Sequence, residues 1–140
     1  MVHAKGINMI HLLKFIVTFL SALFEEYGFL IIESKNSGNR FLGASILMVS
    51  SEVEIFLAIE RDEMTIRFRS LYDKRKNNWY SIEIILALLG HKDCYGVLDD
   101  RNSSLIQNEL SEIIHRFSKS KIAETLRLLD GIEKERSKRM

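Results

Sequence analysis

The sequence predicts an α+β domain: an N-terminal helix, then a four-stranded antiparallel β-meander, then three C-terminal helices packed on one face of the sheet. Between residues 29 and 70, four strand-like runs are joined by short polar turns. Turns this short cannot hold the crossover connection that a parallel pair of strands needs. On either side of that stretch, apolar residues recur at the three- and four-residue spacing typical of amphipathic helices.

The first predicted element is a mostly buried helix that covers Ile10 to Phe24. Its polar residues are His11, Lys14, Thr18, Ser21 and Glu25. They recur every three or four positions, so on a helix they form one narrow stripe, and so thin a stripe indicates burial of the remaining surface. Gly28 is the predicted stop, because glycine accepts the left-handed conformation that ends many helices.

The first two predicted strands form a hairpin. One strand runs from Phe29 to Ser34 and the other from Arg40 to Ser50. Residues 35–39 form the predicted turn, in which Gly38 and Asn39 both tolerate a positive φ.

The third and fourth predicted strands form a second hairpin. Apolar and mixed positions alternate from Val53 to Glu60, so one face of this strand is expected to lie in the core. Arg61–Glu63 is the predicted turn. From Met64 to Arg69 the alternation continues, with arginines on the side opposite the apolar residues, as expected for a sheet that is wet on one face.

A polar, basic connection from Leu71 to Asn78 leads to the first C-terminal helix. Asn78 can accept a backbone N–H bond and is the predicted cap. The helix is predicted from Trp79 to Leu89, with the indole in the core, and Gly90 ends it.

Two further helices are predicted after an irregular segment, His91–Asp100. Asn102–Ser104 has the composition of a cap, and apolar residues at helical spacing extend from Leu105 to Phe117. The last helix carries Ile122 to Ile132 and leads into a charged tail, residues 133–140.

Length and composition predict one domain, residues 1–140, that folds without metal or disulfide. Apolar residues make up 46% of the chain and charged residues 28%, and the formal net charge is +1. So balanced a charge produces no overall electrostatic field that would attract nucleic acid or an anionic membrane.

Cys94 is the only cysteine, which excludes an intramolecular disulfide and favours a reducing cytoplasm. The apolar run before residue 25 is too short to span a bilayer, so no membrane association is predicted.

A basic and aromatic segment provides the candidate nucleic-acid-binding residues. They are Arg67, Arg69, Lys74, Arg75, Lys76 and Tyr80. Basic stripes with aromatic platforms bind single strands. The alternative is a solvated, charge-balanced surface, because Glu60, Asp62, Glu63 and Asp73 lie among the same residues. We favour this alternative and do not expect nucleic acid to be the partner.

One loop gathers several reactive side chains, among them His91, Asp93 and Cys94. A thiol activated by the imidazole could act as a nucleophile, or the imidazole and carboxylates could hold a metal. The alternative is helix punctuation, because His is favoured near helix C-termini and Asp in loops and caps. We favour punctuation, and we predict no catalytic residue, metal or cofactor. No phosphate-binding loop, nucleophile elbow or metalloprotease motif is present.

Five segments of the chain together resemble small bacterial proteins of immunity-protein type. The segments are Glu26–Phe29, the Gly38–Asn39 turn, Leu57–Ile66 around Arg61 and Asp62, Trp79–Ser81, and Leu126–Arg136. The resemblance implies a non-catalytic, cytoplasmic, antitoxin-like protein that binds and neutralises a cognate toxin.

The resemblance also implies a protein-binding surface, and acidic residues could complement a basic toxin. The candidate partner-binding residues are Glu52, Glu54, Asp93, Asp99 and Asp100. We expect the chain to be a monomer or a homodimer. The alternative function remains a nucleic-acid-binding or regulatory module that uses residues 67–80.

Overall fold

Five antiparallel strands form one sheet in the order β1-β2-β3-β4-β5. The computed structural model describes residues 2–36 and 42–138, and for residues 2–7 and 42 it describes the backbone alone. The strands are β1 (Leu30–Lys35), β2 (Leu42–Val49), β3 (Val53–Glu60), β4 (Glu63–Ser70) and β5 (Tyr80–Ser81). The prediction of an antiparallel α+β fold is confirmed. The predicted turn at Gly38 and Asn39 lies outside the described residues.

The prediction of four strands is wrong by one short strand. Tyr80 and Ser81 pair with Phe68 and Arg67 and extend the sheet beyond β4. The helix predicted to start at Trp79 therefore begins only at Ile82. The local helical pattern cannot reveal that the helix starts late, because residues 80 and 81 pair with β4, which lies more than ten residues earlier in the chain.

The helices are α1 (Val2–Phe19), α2 (Ser21–Glu25), α3 (Ile82–Leu88), α4 (Asp100–Arg116) and α5 (Ile122–Lys138). The single predicted N-terminal helix is interrupted at Leu20, which has φ −122° and a fully buried side chain. Three C-terminal helices are present as predicted. The last one continues to Lys138, so most of the predicted tail is helical.

The predicted helix caps are both wrong. Asp99, rather than residues 102–104, caps α4, because its Oδ1 accepts the backbone N–H of Asn102 at 2.7 Å. Ser81, rather than Asn78, occupies the N-cap position of α3. The hydrogen bond from Asn102 to Asp99 fixes the start of α4, whereas the start of α3 is set by the pairing of Tyr80 and Ser81 in β5.

The helices pack against the face of the sheet that the alternation in β3 predicted to be apolar. Ile55 and Leu57 of β3 and Ile66 and Phe68 of β4 are completely buried there. The ring of Phe68 stacks on that of Phe117, at the end of α4, with 6.3 Å between centroids. Burial of this face is the main stabilising contribution to the fold.

The prediction that α1 is mostly buried is wrong for its outer side. Leu12, Phe15 and Ile16 are buried, whereas Leu13 and Val17 are 44% and 73% exposed. The helix packs over β2, near one edge of the sheet, so part of its apolar surface faces outward. Edge strand β1 is likewise exposed along all six of its residues.

The β3–β4 hairpin has a turn one residue shorter than the predicted Arg61–Glu63, because Glu63 belongs to β4. Glu60 pairs with Glu63, so Arg61 and Asp62 are the two turn residues. Both have a positive φ, 52° and 66°. Two central residues with positive φ match the right-handed twist of a hairpin. This turn fixes the register that places the arginines of β4 on the face away from the helices.

Candidate docking surface on the open face of the sheet

The face of the sheet away from the helices is partly exposed, and we call it the open face. Its central row is set by strand register: Leu47 pairs with Phe56, Phe56 with Arg67, and Arg67 with Ser81. Residues directly opposite one another point to the same side of a sheet. These four side chains therefore form one row across β2, β3, β4 and β5.

Trp79 lies beside this row. Its ring and that of Phe56 are 6.1 Å apart between centroids, at an angle of 58°. The prediction that the indole is a core anchor of α3 is wrong, because Trp79 precedes the helix and is partly exposed on the open face. The extra strand β5 accounts for this position, since it directs residue 79 to the side opposite Tyr80.

Two cavities meet at Trp79 and Arg67. One is an apolar groove of about 290 Å³ lined by Leu47, Phe56, Arg67 and Trp79. The other is a polar pocket of about 330 Å³, and its lining residues include Thr65, Arg67, Trp79, Ser81, Glu83 and Gly96. The indole and the guanidinium thus separate an apolar recess from a polar one.

Ion pairs flank the groove. Arg67 Nη1 lies 2.9 Å from Glu60 Oε1, and Arg69 Nη1 lies 3.7 Å from Glu54 Oε1. The Arg67–Glu60 side chains are each about one third exposed, whereas the Arg69–Glu54 side chains are less than one quarter exposed. The more exposed of the two, the Arg67–Glu60 pair, contributes little to stability. Both pairs compensate the charges of the arginines on the open face.

The candidate nucleic-acid residues do not form one free basic surface. Arg67 and Arg69 are paired as described, and Arg75 is paired with Asp73 and Asp130. Tyr80 is completely buried and cannot act as a stacking platform. Of the six residues, only Lys74 and Lys76 are exposed without an ion pair among the described residues.

A polar cluster joins the loop before β5 to α5. Tyr80 Oη accepts hydrogen bonds from Asn78 Nδ2 at 3.0 Å and Arg75 Nη2 at 3.2 Å, and donates one to Asp130 Oδ1. Burial, reinforced by the hydrogen bond to Asp130, raises the pKa of Tyr80 to about 12. Burial opposes ionisation of Asp73, but hydrogen bonds from Asn78 and Arg75 outweigh it and lower the pKa of this carboxyl. These hydrogen bonds connect the loop before β5 to α5.

The candidate acidic residues lie at two ends of the sheet. Glu52 lies near the end of β4, where its carbonyl accepts the N–H of Leu71. The segment that contains Asp93, Asp99 and Asp100 lies near the start of β4, where the N–H of Leu98 bonds to the carbonyl of Met64. These two ends are about 20 Å apart for an extended strand.

Three of the five acidic candidates have structural partners. Glu52 Oε2 accepts the backbone N–H of Lys119 at 2.9 Å, Glu54 pairs with Arg69, and Asp99 caps α4. Asp93 and Asp100 are exposed. The structure therefore does not bring the five residues together on one surface, and their role in partner binding stays a prediction.

The reactive loop has its histidine and cysteine directed to different groups. Cys94 is buried, and its Sγ lies 3.7 Å from the backbone carbonyl of His91. The imidazole Nε2 lies 3.2 Å from Glu109 Oε1 on α4. No group of three or more metal-ligating side chains occurs among the residues that the structure describes. Among the described residues, no hydrogen bond joins the Cys94 thiol to the His91 imidazole.

Two features of the open face carry little signal in the local sequence. Glu83 is predicted only as part of a helix and Gly96 only as part of a loop, and nothing in the sequence around them indicates that they meet. Phe56 is the second feature, because a single apolar residue on the wetter face of a strand is common and does not by itself predict a contact surface.

Comparisons with family models, with curated proteins and with solved structures found no match for this chain. Within residues 2–36 and 42–138, no helix is long and apolar enough to cross a membrane.

Proposed function

We propose that this chain is a non-catalytic binding domain that docks a protein on its open face, and that the partner is a cognate bacterial toxin. The observation that carries docking is the apolar groove at Leu47, Phe56 and Trp79. Large aromatic side chains that line a recess on a rigid sheet are common energetic anchors of protein interfaces. A groove bounded by charged pairs also matches the usual arrangement of an apolar centre and a polar rim.

The toxin part of the proposal has separate support. It comes from the resemblance to immunity-type proteins across five segments of the chain, including Trp79–Ser81. Such a role requires neither a catalytic group nor a cofactor, and it places the protein in the cytoplasm with the toxin it neutralises. The exposed carboxylates of Asp93 and Asp100 could steer a basic toxin during association.

The direct test is binding and neutralisation of the toxin domain encoded beside this gene. We expect co-expression of the wild-type chain to restore growth and the purified proteins to bind. Trp79→Ala should raise Kd by about thirtyfold, which corresponds to about 2 kcal/mol for an aromatic anchor. Leu47→Gln provides a second variant at the edge of the same groove, with a smaller change in volume.

The matched control is Val17→Ala, which removes an exposed apolar side chain from α1, in the helical layer. It should leave Kd unchanged. Urea unfolding of each variant separates loss of binding from loss of folding. If folded Trp79→Ala and Leu47→Gln both bind the toxin as the wild type does, docking on the open face is excluded. If no neighbouring toxin binds the wild type, the immunity role is excluded.

The nucleic-acid alternative makes a different prediction. Phosphate contacts release counterions, so a nucleic-acid-binding module should be retained on heparin and lose affinity steeply with salt. Pairing of Arg67, Arg69 and Arg75 leaves few free cations in this segment. We therefore expect weak retention. Strong, salt-sensitive retention that Lys74→Ala and Lys76→Ala abolish would favour the alternative instead.

A further inference from the structure

Two residues that line the polar pocket beside Trp79 each carry a buried oxygen atom that has no hydrogen-bond partner among the residues the structure describes. These atoms are Thr65 Oγ1 and Glu83 Oε2. Buried polar atoms are nearly always paired, so two unpaired oxygens in the wall of one pocket call for an explanation. Both can accept a hydrogen bond, which indicates that the pocket suits a group with several donors.

Glu83 is held in place but not neutralised. Its other oxygen, Oε1, accepts a hydrogen bond from Ser81 Oγ at 2.7 Å. Among the described residues, it makes no ion pair within 4.0 Å. Burial raises the pKa of its neighbour Glu133; the charge of Asp130 adds to this effect, that of Arg75 opposes it, and that of Glu83 makes a smaller addition. Because Glu83 has no ion-pair partner among the described residues, the pocket carries one carboxylate that no cation compensates.

Arg67 does not offset the negative charge of Glu83 in the pocket. Its guanidinium is paired with Glu60 at 2.9 Å, so the charge that it contributes to the pocket is already compensated. Trp79 forms another wall of the pocket. The face of an indole attracts a cation electrostatically, and this attraction is stronger where water is excluded.

Gly96 keeps the space beside Glu83 open. A Cβ atom built on this residue would lie 3.0 Å from Glu83 Oε2 and 3.3 Å from its Cδ. Glu83 as a whole is only partly buried. Its terminal torsion is broad, so a small rotation turns Oε2 toward a bound group. The site is thus an acidic recess that a side chain at residue 96 would narrow.

We infer that this pocket receives a lysine or arginine side chain of the protein partner, in contact with Glu83, Thr65 and Trp79. The inference rests on the proposed docking function, because the pocket and the apolar groove share Trp79 and Arg67. A long basic side chain has an apolar stem that can lie on the indole and a charged head that can reach the carboxylate. It therefore matches both the shape and the charge of the recess.

The test uses blocked amino acids and needs no knowledge of the partner. Trp79 is the only tryptophan, so its fluorescence reports on the pocket directly. We titrate N-acetyl-lysine amide and N-acetyl-arginine amide at constant ionic strength, with N-acetyl-norleucine amide and N-acetyl-glutamate amide as neutral and acidic probes. The basic probes should saturate with a Kd on the order of 1–10 mM, as expected for small fragments.

Three variants identify the groups responsible. Glu83→Gln keeps the shape of the side chain and removes its charge, and it should raise the Kd of the basic probes at least about tenfold. Gly96→Ala should also weaken them, although it changes no charge. Glu124→Gln removes an exposed carboxylate from α5 and should have no effect.

An equal response to the norleucine or glutamate probe, or unchanged binding in Glu83→Gln, would overturn the inference. Such a result would leave the effect of Trp79→Ala on the toxin complex intact. Conversely, selective binding of the basic probes by a chain that docks no toxin on its open face would contradict the proposed function alone. In a toxin complex, Glu83→Gln should weaken binding by a similar factor. A complex that it leaves unchanged would contradict the assignment to a partner side chain.

Discussion

Tyr80 donates a hydrogen bond to Asp130, a residue 50 positions further along the chain. The phenol is completely buried, and its oxygen also accepts hydrogen bonds from Asn78 and Arg75. Arg75 in turn lies 2.9 Å from the second carboxylate oxygen of Asp130. This arrangement attaches α5 to the short strand β5, so it fixes both the last helix and the segment that carries Trp79.

Removal of this hydroxyl should destabilise the fold. In Tyr80→Phe, Asn78, Arg75 and Asp130 each lose one partner, and we expect the free energy of unfolding to fall by about 1–2 kcal/mol. Urea unfolding followed by circular dichroism measures the change. Tyr95→Phe is the matched control, because that side chain is 74% exposed. Equal stability of Tyr80→Phe and the wild type would show that the hydrogen bonds of the Tyr80 hydroxyl make no net contribution to the free energy of unfolding.

Stability should fall at alkaline pH because the pKa of Tyr80 is raised to about 12 in the folded state. An unfolded tyrosine ionises near pH 10. Between about pH 10 and 12 the unfolded chain therefore loses this proton first, and the contribution of Tyr80 to folding is lost as pH rises through its folded pKa.

The effect of Tyr80 on stability at alkaline pH can be measured in two ways. Absorbance at 295 nm should show one of the four tyrosines ionising about two pH units later than a free phenol. Unfolding free energies in the same range should decline less steeply for Tyr80→Phe than for the wild type. Parallel declines in the two proteins would contradict the assignment of this effect to Tyr80.

Asp99 and Asp100 allow a structural role to be separated from a binding role. Asp99→Ala removes the cap of α4 and should lower the free energy of unfolding by about 1 kcal/mol. Asp100→Ala removes the same charge from the first turn of α4 and should lower the free energy of unfolding by only about a few tenths of a kcal/mol. Urea unfolding compares the two variants.

The same pair of variants tests the acidic candidates for partner binding. If Asp100 helps to attract a basic toxin, Asp100→Ala should slow association, and the effect should shrink as salt is added. Stopped-flow association at two ionic strengths provides the measurement. An association rate equal to that of the wild type at low salt would remove Asp100 from the binding surface.

Cys94 should be unreactive in the folded protein. Only 7% of the residue is exposed, its thiol lies 3.7 Å from the backbone carbonyl of His91, and the His91 imidazole contacts Glu109. A thiol reagent should therefore modify it through local opening, far more slowly than in urea. Cys94→Ala should retain toxin binding and neutralisation. Rapid modification of the native protein, or loss of neutralisation in a folded variant, would revive a chemical role for this loop.

The face of the sheet that enters the core could be predicted because its signal is local. Val53, Ile55, Leu57 and Ile59 alternate with less apolar residues, and all four are buried. Strand direction followed from the short turns. The predicted cap of α4 lies three residues too late, because Asp99, Asn102 and Ser103 all have capping chemistry and only the loop geometry selects among them.

The candidate surface could not be predicted in the same way. The sequence shows that Arg67, Arg69 and Arg75 are basic, but not that each has a carboxylate partner. It shows an aromatic residue at position 79, but not that β5 directs it to the open face. Such contacts depend on which elements become neighbours, and local periodicity carries no information about that choice.

The sequence by itself determined the class of the fold, the apolar face of the sheet and the presence of a short turn between β3 and β4. These features follow from alternation, helical spacing and turn chemistry within a few residues. Only the tertiary structure decided that Tyr80 reaches Asp130 and that Glu83 and Gly96 meet beside Trp79. The physical reason is that pairing and burial across distant segments are set by the packing of the whole chain, which also determines which charges are compensated.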